Sequence, residues 1–213
     1  CTRSVAAIGD PGRTQARLRL VPSPDATPNA APMPLSPPVE RTELHHRRLD
    51  FNGYVRGDGL FEIECTLVDT KGMDVPLLGS QRVVAAGEPM HRMSIRMAVS
   101  PDLEVVALEA VSDATPYDVC PEAAASLQAV VGMKIGSGWT YTIKRRLVGA
   151  ASCTHLAEML IAMGTAAYQT VVPYNRLNGR ETEGFALEKK VDSCYAYAAE
   201  RPLMKLMGSK SGR

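Results

Sequence analysis

The chain has 213 residues, of which 45% are hydrophobic and 22% charged, and its 24 lysines and arginines against 23 acidic residues leave a formal net charge of +1. This balance excludes the strong positive field that draws many proteins to nucleic acids or to membrane surfaces, so we expect neither partner. No apolar run approaches the roughly 20 residues that a membrane span needs, and no apolar segment typical of a secretory signal follows the N-terminal charges.

The N-terminal part of the chain is rich in proline. Eight of the 15 prolines fall within residues 1–39, with little apolar periodicity between them, which predicts a disordered leader over residues 1–42. Met33 opens a stretch that resembles a translation start, so residues before it are interpreted as upstream or non-native sequence. Residues 43–207 are expected to form one domain, followed by a frayed tail at residues 208–213.

Alternation of apolar and polar residues predicts most of the strands. After the basic run His45-His46-Arg47-Arg48, interpreted as a flexible basic edge or an anion-holding segment, apolar residues in 60–69 recur at every second position, as in a half-buried strand. Cys65 lies on that apolar face and is interpreted as a core residue. Further strands are predicted over residues 82–85, 90–99, 103–111 and 139–147. The strands over residues 90–99 and 103–111 are expected to form an antiparallel hairpin.

Two helices are predicted from a spacing of three to four residues. The first follows Cys120 and Pro121 and ends at Gly132, with a core stripe of Ala123, Leu127, Val130 and Val131. The second begins at Ser152 or Cys153 and is expected to end at Pro173, because proline cannot continue a helix. Its core stripe consists of Leu156, Met159, Leu160, Met163 and Ala167.

The C-terminal part carries weaker signals: a loop over residues 175–184, a mixed segment over residues 185–191, and a short helix interrupted at Pro202. Strands followed by helices predict an α+β fold. We expect an antiparallel sheet of about five strands with two main helices packed on one face.

The start of the second helix carries a candidate chemical site. Cys153 stands where free backbone N–H groups favour negative charge and lower a thiol pKa. His155 and Glu158 are neighbours on one stripe, so Cys153 can serve as a nucleophile, His155 or His91 as a general acid and base, and Glu158 as the group that orients the imidazole. Each of these residues, taken alone, is also compatible with a capping or core role.

The same region supports a metal hypothesis. Thiolates and imidazoles are ligands that zinc and iron accept, although the spacing here matches no compact zinc motif. The five cysteines include no CxxC pair, which favours reduced thiols and a cytoplasmic protein. No motif for a nucleotide cofactor is present. The candidate ligands are His91, Cys120, Cys153, His155 and Cys194.

Several segments together resemble a known family. They are RRLDFNGYVRGDGLFEIECTLVDTKG, GEPMHRMSIRMAV, PYDVCPEA, IGSGWTYTIKRRLVGAASCTHLAEML and VDSCYA, and they resemble an uncharacterised bacterial family known as a domain of unknown function, of the DUF 2889 type. The resemblance covers about residues 43–207 and implies that these motifs belong together. It places His91, Cys120, Cys153, His155 and Cys194 at motif positions.

The sequence therefore favours a cytoplasmic small-molecule enzyme with a Cys/His site that uses acid/base or thiol chemistry, of the lyase, isomerase or hydrolase type. A ligand that carries a carboxylate is expected, because four arginines supply positive charge: Arg92, Arg96, Arg145 and Arg146. The alternative is a non-catalytic module that binds a metal or a protein partner through the same cysteines and histidines.

Overall fold

The computed structural model of the protein describes residues 36–180 and 191–210. The leader predicted over residues 1–42 and the mixed segment predicted over residues 185–191 therefore lie almost wholly outside the described residues, as does the end of the predicted tail. No helix in the described ranges combines the length and the apolar content needed to cross a lipid bilayer.

Within the described residues, six strands form two antiparallel sheets. In chain order they are β1 His45–Val55, β2 Phe61–Lys71, β3 Val75–Pro76, β4 Val83–Val84, β5 Pro89–Val99 and β6 Val105–Ala114. Four long strands make the main sheet in the order β1-β2-β5-β6, while β3 and β4 pair separately. The α+β class and the hairpin of β5 and β6 are confirmed.

Strand β1 replaces the flexible basic edge expected from the His-His-Arg-Arg run. It pairs with β2 along its whole length, with Arg47 opposite Asp69 and Phe51 opposite Cys65. Because paired residues share a face of the sheet, alternate residues of this basic run point toward the covered side. The register thus carries Arg47 to the inner face.

The prediction of a strand at residues 139–147 is wrong. This segment is helix α1, Trp139–Arg146, which begins after Gly138 in a left-handed conformation with φ 87°. Trp139, Ile143 and Leu147 are all buried, and their spacing of four residues is that of a helix. Contact with the core therefore overrides the β preference of the aromatic and β-branched residues.

The first predicted helix forms, but with a tighter winding than expected. Cys120–Val130 is a 3-10 helix in which Leu127 and Val130 are buried, and three residues per turn put these two side chains on one line. Val131, expected in the core, is 39% exposed because it falls outside that line.

Helix α2, Thr154–Leu177, lies across one face of the main sheet against β1, β2 and the neighbouring part of β5. Its predicted core stripe is confirmed, since all five residues of the stripe are buried. The predicted end at Pro173 is wrong, because the helix continues for four more residues. That last turn is held by packing of the Tyr174 ring on Phe61 and by Asn175 Nδ2, which donates to Pro101 O at 2.9 Å.

Helix α1 packs on α2 through one close contact. Trp139 Nε1 donates to Leu160 O at 3.0 Å, and the indole lies over Gly164, where a Cβ would come within 2.5 Å of the ring. A third helix, α3 Pro202–Lys210, begins at the proline that was expected to interrupt it, because proline suits a first helical turn. The result is a sheet whose inner face is covered by α2, while among the described residues its outer face carries half-exposed polar side chains such as Glu64 and Arg96.

Candidate functional site

A buried carboxylate lies at the centre of the candidate site. Asp69 stands at the end of β2 on the inner face, where it continues the alternation of Phe61, Ile63, Cys65 and Leu67, and it is 1% exposed. A charge in such a place is unfavourable unless it is paired and hydrogen-bonded. The neighbours of Asp69 therefore define the chemistry of this part of the molecule.

Arg47 supplies the main counter-charge. Its Nε donates to Asp69 Oδ1 and its Nη2 to Asp69 Oδ2, both at 2.7 Å, which is the two-pronged geometry that an arginine makes with a carboxylate. Burial raises the pKa of Asp69, but the hydrogen bonds and charge of Arg47, with smaller contributions from His91 and His45, outweigh it and leave the pKa lowered. Asp69 is therefore an anion at neutral pH.

Three histidines lie around the same carboxylate. His91 Nδ1 is 3.1 Å from Asp69 Oδ2, His155 Nε2 is 3.8 Å from the same oxygen, and His45 Nε2 is 3.7 Å from Oδ1. The rings of His91 and His155 are tilted toward one another with centroids 4.1 Å apart. Burial and the charge of His155 lower the pKa of His91 despite the opposing effect of Asp69, so His91 is neutral at pH 7.

Cys153 is the N-cap residue of α2, one of the two cap positions predicted. Its Sγ lies 3.6 Å from His155 Nδ1. Burial raises the pKa of this thiol, but hydrogen bonds from His155 and from the backbone N–H groups of Leu156 and His155 outweigh burial and lower it. The buried Cys65 is the opposite case, because burial raises its pKa to about 12, as suits a core residue.

The structure thus brings together three of the residues predicted for catalysis, since Cys153 contacts His155 and His155 lies against His91. Glu158, expected to orient His155, instead accepts a hydrogen bond from Arg47 Nη1 at 3.0 Å. Asp69 stands where that orienting carboxylate was expected.

The other expected residues lie apart from this contact network. Cys120 begins the 3-10 helix and Cys194 precedes the short turn Tyr195–Tyr197. Arg96 pairs with Glu62 and Glu64 on the outer face of the sheet. At the end of α1, Arg145 donates to Tyr141 and Arg146 to Ala129 O. The positive charge at the site comes from Arg47, which was not among the four arginines considered.

The donor set also fits a metal ion. Asp69, His91 and His155 each offer one ligand atom, and these three atoms lie within 4.8 Å of one another. Two imidazoles and a carboxylate are ligands for zinc and for iron(II). This group includes two of the five predicted ligands, His91 and His155, and none of the three predicted cysteines.

Asp69 was not predicted from the sequence, and Arg47 was predicted only as part of a basic run that could hold an anion, yet a signal for each exists. Asp69 is the next residue in the inward alternation of β2, so a carboxylate at an apolar position marks a buried charge. Arg47 occupies the same parity as Leu49 and Phe51 in β1. A period of two therefore extends through the basic run and puts one of its arginines inward.

Comparison with known proteins identifies a family. A family model described as "Protein of unknown function (DUF2889)" matches residues 45–169, which includes β1, the sheet and most of α2. No curated protein matches the chain. No solved structure matches it either.

Proposed function

We propose a function for this chain, which belongs to the DUF2889 family of proteins of unknown function, from the geometry of its site. The protein is a small-molecule enzyme in which Cys153 is the nucleophile and His155 the general acid and base. Asp69 takes the role of the group behind the imidazole. The contact between Cys153 Sγ and His155 Nδ1 at 3.6 Å, at the N-terminus of a 24-residue helix, carries the proposal.

The order of the three groups supports this assignment. The sulfur faces one ring nitrogen of His155, and the other ring nitrogen is 3.8 Å from Asp69 Oδ2. A nucleophile, a base in contact with it, and a third group on the far side of the base are the parts that thiol catalysis requires. The backbone N–H groups at the start of α2 add partial positive charge beside the sulfur.

The chemistry proceeds as a displacement. His155 Nδ1 takes the thiol proton, and Sγ forms a bond to an electrophilic carbon of the substrate while the bond to the leaving group breaks. The imidazolium returns the proton to the leaving group. In a hydrolase a water molecule then attacks the thioester, His155 takes its proton, and the product acid leaves as the thiol is restored.

Two neighbours position this set. His91 donates to Asp69 and packs its ring against His155, so it restricts the movement of both. Arg47 keeps Asp69 ionised through its fork. The mechanism needs a reduced thiol, which is consistent with a reducing compartment such as the cytoplasm.

Alkylation of the cysteines with iodoacetamide tests the proposal, with the modified sites mapped by mass spectrometry. Cys153 and Cys120 are both half-buried, so Cys120 is an internal standard. At pH 7 in the presence of EDTA we expect Cys153 to react on the order of tenfold faster than Cys120. His155→Asn should remove most of this difference, and His46→Asn, which changes an exposed histidine on the opposite side of β1, should leave it intact.

Equal rates for the two cysteines, or a rate for Cys153 that does not respond to His155→Asn, would contradict the thiol mechanism. If Cys153 reacts equally fast in the wild type and in His155→Asn, the helix terminus alone activates the thiol.

A second candidate function is binding of a divalent metal by Asp69, His91 and His155, favoured by the proximity of their ligand atoms. One feature opposes it, since Arg47 already neutralises Asp69 with hydrogen bonds to both oxygens. Titration with Co²⁺, followed by absorption in the visible range, separates the two functions. If the site holds a metal, Co²⁺ binding should be lost in His91→Gln and retained in Cys153→Ser. The thiol mechanism does not require Co²⁺ binding that depends on His91.

A further inference from the structure

Arg47 connects the buried acid to the protein surface. Two of its nitrogens, Nε and Nη2, are held by Asp69 at 2.7 Å each. The third, Nη1, points away from Asp69 and donates to Glu158 Oε2 at 3.0 Å. The guanidinium is therefore fixed in orientation by one carboxylate while it presents a donor to another.

The two carboxylates differ in burial. The side chain of Asp69 is 2% exposed and that of Glu158 is 61% exposed. An ion pair with an exposed partner contributes little, between 0 and about 1 kcal/mol, because water solvates both charges. A ligand can thus replace Glu158 at small expense in free energy, whereas Asp69 stays in place and keeps the arginine oriented.

The surroundings of Arg47 favour an anion. Helix α2 begins nearby with no acidic residue in its first turn and no side-chain cap, so the helix itself supplies no counter-charge to its positive end. His45 and His155 approach Asp69 from two further directions. Among the described residues, the acids in contact with Arg47 are Asp69 and Glu158.

Building on the function proposed above, we propose that Arg47 Nη1 anchors a carboxylate of the substrate and that the Glu158 side chain occupies this place until the ligand displaces it. The substrate class is then a small carboxylic acid that carries, besides the anchored carboxylate, a second and reactive carbon that Cys153 attacks. Arg47 is the specificity-determining residue of the site, and Glu158 is an internal competitor.

The geometry suits a carboxylate. Because the N–H of Nε and one N–H of Nη2 are already engaged, the two N–H groups of Nη1 and the second N–H of Nη2 remain for a ligand. An N–H of Nη1 already binds a carboxylate oxygen, that of Glu158. The free N–H of Nη2 and one N–H of Nη1 point in parallel, so together they can bind both oxygens of a carboxylate.

Binding of succinate tests the inference, with succinamide as an uncharged analogue of the same shape. Affinities are measured by calorimetry on the wild-type protein and on two matched variants. Glu158→Gln removes the competitor. Glu109→Gln is the control, because Glu109 is also exposed and lies 3.8 Å from an arginine, Arg96, on the opposite face of the sheet.

We expect Glu158→Gln to bind succinate about two- to fivefold more tightly than the wild type, as release of an exposed ion pair allows. Glu109→Gln should match the wild type, and succinamide should not bind. Arg47→Lys, which keeps the charge but loses the fork, should weaken succinate binding. Arg47→Lys also removes the two hydrogen bonds that hold Asp69. The comparison of the two glutamine variants is therefore the decisive test of the inference.

Three results would overturn the inference: no succinate binding by Glu158→Gln, equal affinities in the two glutamine variants, or equal affinity for succinamide. The test is independent of thiol chemistry, because Cys153→Ser should bind succinate like the wild type. Succinate binding together with an unreactive Cys153 would therefore refute the proposed enzyme mechanism and support the anion subsite. A reactive Cys153 without succinate binding would refute the subsite and support the mechanism.

Discussion

The two faces of the main sheet each hold an arginine among carboxylates, but in very different surroundings. On the inner face, Arg47 forks onto Asp69, whose side chain is 2% exposed. On the outer face, Arg96 contacts Glu62, Glu64 and Glu109, and its own side chain is 54% exposed. The same pair of chemical groups therefore occurs both under a helix and facing solvent.

This contrast indicates that burial under helix α2, and not the ion pair itself, creates the candidate site. Helix α2 lies on the inner face and brings His155 and Cys153 to the end of the strand that carries Asp69. Exclusion of water strengthens the electrostatic interactions of Asp69 with its partners. It also increases the destabilisation that results when a hydrogen-bond partner of Asp69 is lost. On the outer face a shallow depression lined by Glu64, Ser94, Arg96 and Glu109 stays solvated, and its charges interact weakly.

Removal of the buried charge should have the largest effect. Asp69→Asn keeps the shape of the side chain but leaves the Arg47 fork without its anion, and loss of one partner of a buried pair costs about 3 kcal/mol. We expect a decrease of that size in the free energy of unfolding, measured by urea denaturation. A decrease below about 1 kcal/mol would show that Asp69 is solvated in solution and would remove the contrast between the two faces.

Acidification from pH 7 to pH 5 should have a smaller effect, again on the inner face. Burial and the charge of His155 lower the pKa of His91 in the folded protein, whereas the unfolded histidine titrates near pH 6.5. Between these pKa values the unfolded chain binds more protons. The contribution of His91 to the free energy of unfolding is thus fully present above about pH 6.5. It is lost as the pH falls through the lowered pKa of His91 in the folded protein.

Urea midpoints measured across this pH range check the sign. His91→Gln should reduce the change of the urea midpoint with pH. His46→Gln, which changes an exposed histidine, should leave that change as it is in the wild type. Stability that rises on acidification would instead mean that Asp69 holds His91 protonated in the folded state.

The outer face should give the smallest effect. Glu64→Gln removes the closest partner of Arg96, at 2.8 Å, but exposed pairs contribute between 0 and about 1 kcal/mol, and Glu62 and Glu109 remain nearby. We expect a change in unfolding free energy below about 1 kcal/mol that shrinks further in 0.5 M NaCl because of screening. A loss similar to that of Asp69→Asn would show that the outer cluster is also a structural ion pair.

Much of the fold follows from local periodicity. Strand β2, the hairpin of β5 and β6 and the core stripe of α2 were predicted correctly, because each has one face in the core and the apolar residues mark it. The segment at residues 139–147 was assigned to the wrong class, since its β-type composition conflicts with the spacing of Trp139 and Ile143. Pro173 predicts the end of a helix, but packing of Tyr174 on Phe61 extends α2 beyond it.

The α+β class, the position of Cys153 at the start of a helix and the proximity of His155 to that cysteine follow from the sequence, because all three depend on neighbours along the chain. In contrast, the presence of Asp69 and Arg47 in the site, and the contact of Glu158 with Arg47 and not with His155, follow only from the three-dimensional packing. The two cross-strand pairs Arg47–Asp69 and Asp69–His91 each join residues 22 positions apart. Such contacts depend on strand register and on the placement of α2, which global packing of the apolar face selects.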